Sequence, residues 1–303
     1  MPTGVPLPPV ELATRVGSVE GVDPHSFYES EGAAVRARIE SFLPPSWEFT
    51  GRRMLDFGCG SGRVLRHFLP EAGEGEFWGC DLHGPSIDWI QANLSPPLRC
   101  FKNELDPPLP FADGYLDLIW ATSVFTHITD NWSSWLLELH RVLRQGGVLI
   151  ASYLGEGVWE AMLDEPYLED EVGMIVLRHW QEGPWVFHSE WWLRAHWGRL
   201  FDVVRVSCPP RGEDGRPQVT HSYIVMRKRG AATTRERLER CSLTEPRELS
   251  ALRTNLRLLR AEIETVLGSA GHENSRHLLR EAVMASPLRG PARRLGRRLR
   301  RGP

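Results

Sequence analysis

Asp56-Phe57-Gly58-Cys59-Gly60-Ser61-Gly62 sets three glycines at alternate positions directly after a short apolar run. Glycines at such a turn remove the Cβ atoms that would hold a bound molecule away from the backbone, and they admit positive φ. The spacing departs from the Gly-x-Gly-x-x-Gly of a dinucleotide site, because Arg63 stands where the last glycine would be. A Walker loop is absent as well. About 20 residues on, Asp81 closes the run Phe77-Trp78-Gly79-Cys80-Asp81 and is followed by Leu82. A carboxylate there is set to accept both hydroxyl protons of a ribose, so a nucleoside-bearing ligand is expected. Asn103, Glu104 and Leu105 follow a third apolar run, where a polar side chain and backbone groups could read an adenine edge.

His127, in Ser123-Val124-Phe125-Thr126-His127-Ile128, lies just after a fourth run and is the candidate general base for a hydroxyl acceptor. The alternative is a histidine that caps or packs on the following helix. Glu190, His188 and His221 are further candidates of the same kind. Six of the 12 tryptophans (Trp159, Trp180, Trp185, Trp191, Trp192, Trp197) fall within residues 155–200, where most are expected to form the core of a small lid and some could stack on an acceptor ring. His179, His188 and His196 lack zinc spacing, and Cys59, Cys80, Cys100, Cys208 and Cys241 are scattered singly, so no metal site is expected.

Elements must hold these residues at one edge. Short β-favouring runs at 53–57, 76–81, 98–102, 115–122 and 147–153 alternate with helical patterns, the order of parallel strands joined by crossover helices. Runs at 201–207 and 220–227, divided by the Pro/Gly-rich loop 209–217, read as an antiparallel pair completing the sheet. Helices are expected at 27–43, stopped by Pro44 and Pro45, at 63–69 after the glycines, and at 131–144 behind an Asp130 cap, ended by Gln145-Gly146-Gly147.

The 303 residues, 41% hydrophobic and 25% charged, fit an ordinary globular protein and exclude disordered, collagenous and disulfide-scaffold classes. No apolar stretch reaches the roughly 18–20 residues of a membrane span, and the Pro-rich start lacks the features of an export signal; a cytoplasmic protein is expected. The net charge of −3 hides an asymmetry, since residues 286–303 carry seven arginines and no acid. That tail, which alternates leucines with paired arginines, could lie on an anionic membrane surface or remain solvated. Leu249, Leu252, Leu256, Leu259, Ile263 and Val266 are spaced 3, 4, 3, 4, 3, the alternation of a coiled coil, and a homodimer through this helix is expected. With an acidic body, nucleic acid is not an expected partner.

Over about residues 54–153 the chain resembles the class I S-adenosylmethionine-dependent methyltransferases of the type 11/12 group. Asp56 to Gly62 match the family's first motif and Asp81 its acidic ribose residue. Pro110-Phe111-Ala112-Asp113-Gly114-Tyr115-Leu116-Asp117 and Leu143-Arg144-Gln145-Gly146-Gly147 match two later segments with one substitution each. The resemblance implies a Rossmann-like, doubly wound α/β fold: a seven-stranded, mostly parallel sheet with an antiparallel final strand, followed here by a helical or coiled-coil extension. It implies S-adenosyl-L-methionine as the methyl donor. Its methionine part would lie on the turn of Gly58, Gly60 and Gly62 with Asp56 near the amino group, its ribose on Asp81, and its adenine beside Leu82 and Asn103 to Leu105.

The expected divisions are a helical lid (1–50), the methyltransferase domain (51–230) with an acceptor-lid insertion (155–200), a helical extension (231–285) and the basic tail. The expected activity is O-methylation of a small-molecule or glycan acceptor, with bacterial surface-polysaccharide assembly as a context in which the protein would work at the inner face of the membrane. The alternatives are an RNA or protein methyltransferase, and a non-catalytic S-adenosylmethionine-binding scaffold.

Overall fold

The computed structural model describes residues 4–15, 17–163, 165–178, 184–230, 232–242 and 244–270. A seven-stranded sheet runs through them. Its strands are β1 (Arg53–Phe57), β2 (Glu76–Asp81), β3 (Arg99–Lys102), β4 (Leu116–Ala121), β5 (Leu143–Tyr153), β8 (Phe201–Ser207) and β9 (Ser222–Lys228), in the order β3-β2-β1-β4-β5-β9-β8. Neighbours from β3 to β5 pair in parallel, while β9 pairs antiparallel with both β5 and β8. This is the doubly wound α/β sheet expected, with β9 as its antiparallel strand. The chain winds outward from β1 to β3 and then returns to β4 on the other side of β1, which opens a crevice beyond the carboxyl ends of β1 and β4.

Alternation along the strands sends side chains to two apolar layers. Leu55, Phe57 and Ile119 meet Trp135, Leu136 and Leu139 of α4 (Trp132–Val142). Met54, Leu118 and Trp120 meet Val35 and Ile39 of α2 (Pro24–Phe42) and Ile87 and Ile90 of α3 (Gly84–Asn93). α2 begins three residues earlier than expected, because the Asp23 carboxylate caps the Ser26 amide and Pro24 occupies the first turn. With the short α1 (Val10–Thr14), it roofs the glycine turn: Tyr28 donates its hydroxyl to the Ser61 carbonyl at 2.8 Å, and the Ser61 hydroxyl donates to the Leu12 carbonyl at 3.1 Å.

Two helices differ from expectation. The segment after the glycines winds only a 3-10 turn, Leu65–Phe68, because α2 presses on the Arg63 carbonyl so closely that a Cβ at Gly32 would overlap it. α4 stops at Val142, Leu143 being already extended as it joins β5, and Asn131 rather than Asp130 precedes the helix, without a side-chain cap.

The insertion folds as α5 (Glu156–Leu163), a hairpin of β6 (Met174–Leu177) and β7 (Trp185–His188), and α6 (Glu190–His196). Trp159, Trp191, Trp192 and Trp197 are buried in it, as core residues; Trp180 and His179 lie outside the described residues. After α7 (Arg235–Glu239), α8 (Pro246–Ala270) docks on this insertion through Glu248, Ala251, Thr254 and Leu258. Asn255 donates to the Met174 carbonyl at 2.9 Å, and Glu262 accepts from the Arg178 amide at 2.9 Å. Of the heptad positions, Leu249 and Leu256 are exposed, while Leu252, Leu259 and Ile263 are half-buried. The basic tail lies outside the described residues, and no helix among those described is long and apolar enough to cross a membrane.

Candidate active site

Backbone geometry shapes the turn after β1. Gly58, Gly60 and Gly62 have φ of 81°, 54° and 85°, a region that side-chain-bearing residues avoid. A Cβ on Gly58 would overlap Val124 Cγ2, so the turn after β1 and the turn after β4 touch only because this residue is glycine. The Gly58 and Cys59 amides donate to the Cys80 carbonyl at 2.8 and 2.9 Å, fixing the turn to the end of β2.

Asp81 completes that link, its Oδ2 accepting from the Gly60 amide and its Oδ1 from the His83 amide, both at 2.8 Å. A carboxylate has about four acceptor positions, and these two hydrogen bonds fill two of them. Leu82 and Leu105 are exposed, Leu105 at 73%, an unusual fraction for leucine in a packed domain. The Leu105 carbonyl is held by the Trp135 indole at 3.0 Å. Asn103 is buried, donates its amide to the Asp81 carbonyl at 3.2 Å and turns its side chain to the Glu104 carbonyl; Glu104 is exposed.

Asp56 is 2% exposed, and its Oδ2 has no partner among the described residues. Burial pushes its carboxyl up to about 7, with the nearby Asp81 charge acting in the same direction and the Trp120 indole and Arg63 charge opposing. A cationic ligand group beside it would restore the ionised form.

On the other side of the crevice, His127 is exposed, with Nδ1 3.0 Å from the Pro184 carbonyl of the insertion. A carbonyl only accepts, so Nδ1 carries the hydrogen of this contact, and in the neutral ring Nε2 is then the acceptor. Trp185 stands edge-on to this ring at 6.3 Å. His221, just before β9, has Nε2 3.1 Å from the Ser123 hydroxyl; desolvation pulls its ring down to about 4, helped by the charges of Arg63, His127 and Arg38. Ser123 holds φ of 60°, and its amide donates to Ser152 Oγ at 2.7 Å. A non-glycine residue in this conformation is strained, a feature common at functional sites.

Two candidates fall elsewhere. His188 is fully buried in the insertion between Trp192 and Trp197, and Glu190 is ion-paired with Arg194 on α6 at 2.7 Å. The packing of the insertion, which sequence patterning does not reveal, separates them from the crevice. Ser123, Arg38, Tyr28 and Tyr223 were not singled out as site residues from sequence, since no motif carries them. All five cysteines are free thiols, and among the described residues no three His, Cys, Asp or Glu side chains cluster as metal ligands.

Residues 55–151 match the family described as a methyltransferase domain. The chain is 26% identical over 160 residues to phthiotriol/phenolphthiotriol dimycocerosates methyltransferase 1 of Mycobacterium ulcerans, covering 52% of this chain and 54% of that protein. It is 26% identical over 142 residues to 27-O-demethylrifamycin SV methyltransferase of Amycolatopsis mediterranei, covering 41% and 48%. An S-adenosylmethionine-dependent methyltransferase structure from Mesorhizobium loti superposes with a TM-score of 0.49 at 19% identity, over 65% of this chain and 99% of that one. The chain thus spans about half the length of the curated relatives it matches, and the stretch that matches the methyltransferase-domain family is residues 55–151.

Proposed function

We propose that the chain built on this domain transfers the methyl group of S-adenosylmethionine to an oxygen of a small-molecule or glycan acceptor. The observation that carries the reading is the turn after β1, with a Cβ-free approach at Gly58, an unpartnered carboxylate oxygen on Asp56 and an Asp81 carboxylate with two of its about four acceptor positions filled. The donor supplies a sulfonium-activated methyl group, so the protein needs mainly to align the acceptor with it.

In this reading Asp81 accepts from both ribose hydroxyls, Leu82 and Leu105 close on the adenine faces, and the chain at Asn103 and Glu104 meets its edge. Gly58, Gly60 and Gly62 let the amino-acid tail lie against the backbone, where Asp56 faces the ammonium group. That charge compensates a carboxylate that burial disfavours. His127 Nε2 takes the proton of the acceptor hydroxyl, an effect of about 10²–10⁴ in rate for a positioned base. Trp185 offers an aromatic edge to a ring-bearing acceptor beside it. The name of one relative, 27-O-demethylrifamycin SV methyltransferase, supports oxygen as the receiving atom.

The test is incorporation of radiolabelled methyl groups into fractions of a cell extract, followed by the same assay with His127→Ala. Label should enter a small-molecule or glycan fraction, and the variant should lose about 100-fold in kcat while binding S-adenosylhomocysteine as the wild type does. Wild-type protein that binds S-adenosylhomocysteine but labels no fraction would leave a scaffold in place of an enzyme.

A further inference from the structure

Arginines at the packed elements of this protein are mostly ion-paired: Arg66 with Glu29 at 2.9 Å, Arg141 with Asp113 at 2.7 Å and Arg178 with Asp130 at 3.0 Å. Arg38 and Arg63 differ. Neither guanidinium has a carboxylate within 4 Å among the described residues, although both are half-buried, and the His221 ring feels the charge of both. Arg63 leaves the glycine turn beneath α2, its Nη1 lying where a Cβ on Gly17 would meet it at 3.5 Å. Arg38 comes from α2 and lies over the Tyr223 ring at 5.2 Å. Tyr223 is the second residue of β9, opposite Ser152, two positions after His221.

What converges here is a set of donors: two guanidinium groups and the hydroxyls of Ser123 and Tyr223, beside an imidazole that burial keeps neutral. The acids nearby are Glu31 and Asp56. Glu31 offsets one positive charge, while burial raises the Asp56 carboxyl to about 7 and so keeps it largely protonated only below that pH. The unliganded cluster therefore carries an excess of positive charge in a partly desolvated place, an arrangement that favours a bound oxyanion. Position along α2 separates its two ends. Tyr28 reaches the glycine turn, whereas Arg38 is ten residues further on, about 15 Å along the helix axis, over the β4 and β9 side of the crevice.

The geometry points to an oxyanion subsite formed by Arg38 and Arg63 with Ser123 and Tyr223, which binds a carboxylate or phosphate group of the methyl acceptor. It rests on the methyltransferase reading and gives the acceptor a chemical class, an acid-bearing molecule. Arg38 sets its orientation, and the reacting oxygen then faces His127.

Calorimetry on the full chain saturated with S-adenosylhomocysteine separates the acceptor's anion from the donor's own carboxylate, which is already in place. Succinate and inorganic phosphate serve as probes, titrated into wild type, Arg38→Gln, Arg63→Gln and Arg38→Lys, with thermal melts to verify folding. The wild type should bind at least one probe. Arg38→Gln should weaken that binding at least tenfold while S-adenosylhomocysteine affinity stays within twofold, and Arg38→Lys should recover part of the loss.

Absence of probe binding in the wild type overturns the subsite. So does equal probe affinity in folded Arg38→Gln, or a loss confined to the S-adenosylhomocysteine titration, which would give the arginines to the donor. If the wild type binds no S-adenosylhomocysteine, the methyltransferase reading fails first. The probe titrations on the unloaded protein then still decide whether an oxyanion site exists.

Discussion

The two halves of the crevice are built differently. Around β1 and β2 the shape comes from backbone: glycines with positive φ, amides donating to the Cys80 carbonyl, and Gly60 bonded to Asp81 only 21 positions away. Around β4 and β9 it comes from side chains of distant segments, with Ser123 meeting His221 across 98 positions and His127 meeting Pro184 across 57. In the first half, positive φ at all three glycines strains any substitution at the turn. The second is an assembly of side chains from segments far apart in the chain, to which the proposed function assigns the acceptor.

Gly58→Ala tests the first half most severely. It demands a positive φ from alanine and drives a Cβ into Val124, in a place where β1 and β4 leave no slack. We expect a loss of about 3 kcal/mol in denaturant unfolding and no S-adenosylhomocysteine binding. Gly73→Ala, where a Cβ meets nothing within 4 Å, should stay within about 0.5 kcal/mol. Equal behaviour of the two would remove the distinction between the halves.

Asp56 provides a pH-dependent version of the same test. Its carboxyl is raised in the folded protein to about 7 from 3.8, so its contribution to stability is complete below about pH 4 and is lost as pH rises through 7. Between pH 5 and 8 the unliganded wild type should lose about 2–3 kcal/mol relative to Asp56→Asn, measured by urea unfolding. Parallel profiles would mean that the carboxylate has a partner. S-adenosylhomocysteine should bind the wild type more tightly above pH 7, where the carboxylate is ionised at lower cost.

A smaller effect is expected in the insertion. His188 is fully buried, neither ring nitrogen has a partner among the described residues, and burial lowers the ring to about 3, with the His196 charge acting in the same direction. His188→Leu should be neutral or stabilising by up to about 1 kcal/mol at pH 7. The wild type should fall behind the variant as pH drops below 6.5, because the unfolded ring takes a proton that the folded ring refuses. A variant destabilised by more than about 2 kcal/mol at pH 7 would show that the ring is satisfied after all.

These contrasts explain what could be read from sequence. The turn of Gly58, Gly60 and Gly62 was legible because positive φ restricts residue type locally. The parallel strands with crossover helices followed from alternation of apolar runs with helical patterns, whereas their order in the sheet did not. The end of α4 was misjudged because Gly146 and Gly147 lie inside β5, where Leu143 has already turned extended. The heptad spacing of α8 is plain in sequence, yet the buried positions of the helix are Glu248, Ala251 and Thr254, which lie beside that spacing. Glu248 is buried because it accepts from the Ser242 amide at 3.1 Å and faces His196 Nε2 at 3.0 Å, partners that no periodicity reports. Ser123 with His221, and Arg38 with Tyr223, escaped for the same reason: topology brings them together, and neither member of a pair marks the other.

The most direct test of the methyl-donor site is a calorimetric titration of the wild type and Asp81→Ala with S-adenosylhomocysteine and, separately, with NAD⁺. Single-site binding of S-adenosylhomocysteine, at least about tenfold weaker in the variant (~1.4 kcal/mol), with no heat from NAD⁺, is the predicted result. Binding of NAD⁺ in place of S-adenosylhomocysteine, or equal affinity of the two proteins for S-adenosylhomocysteine, would contradict it.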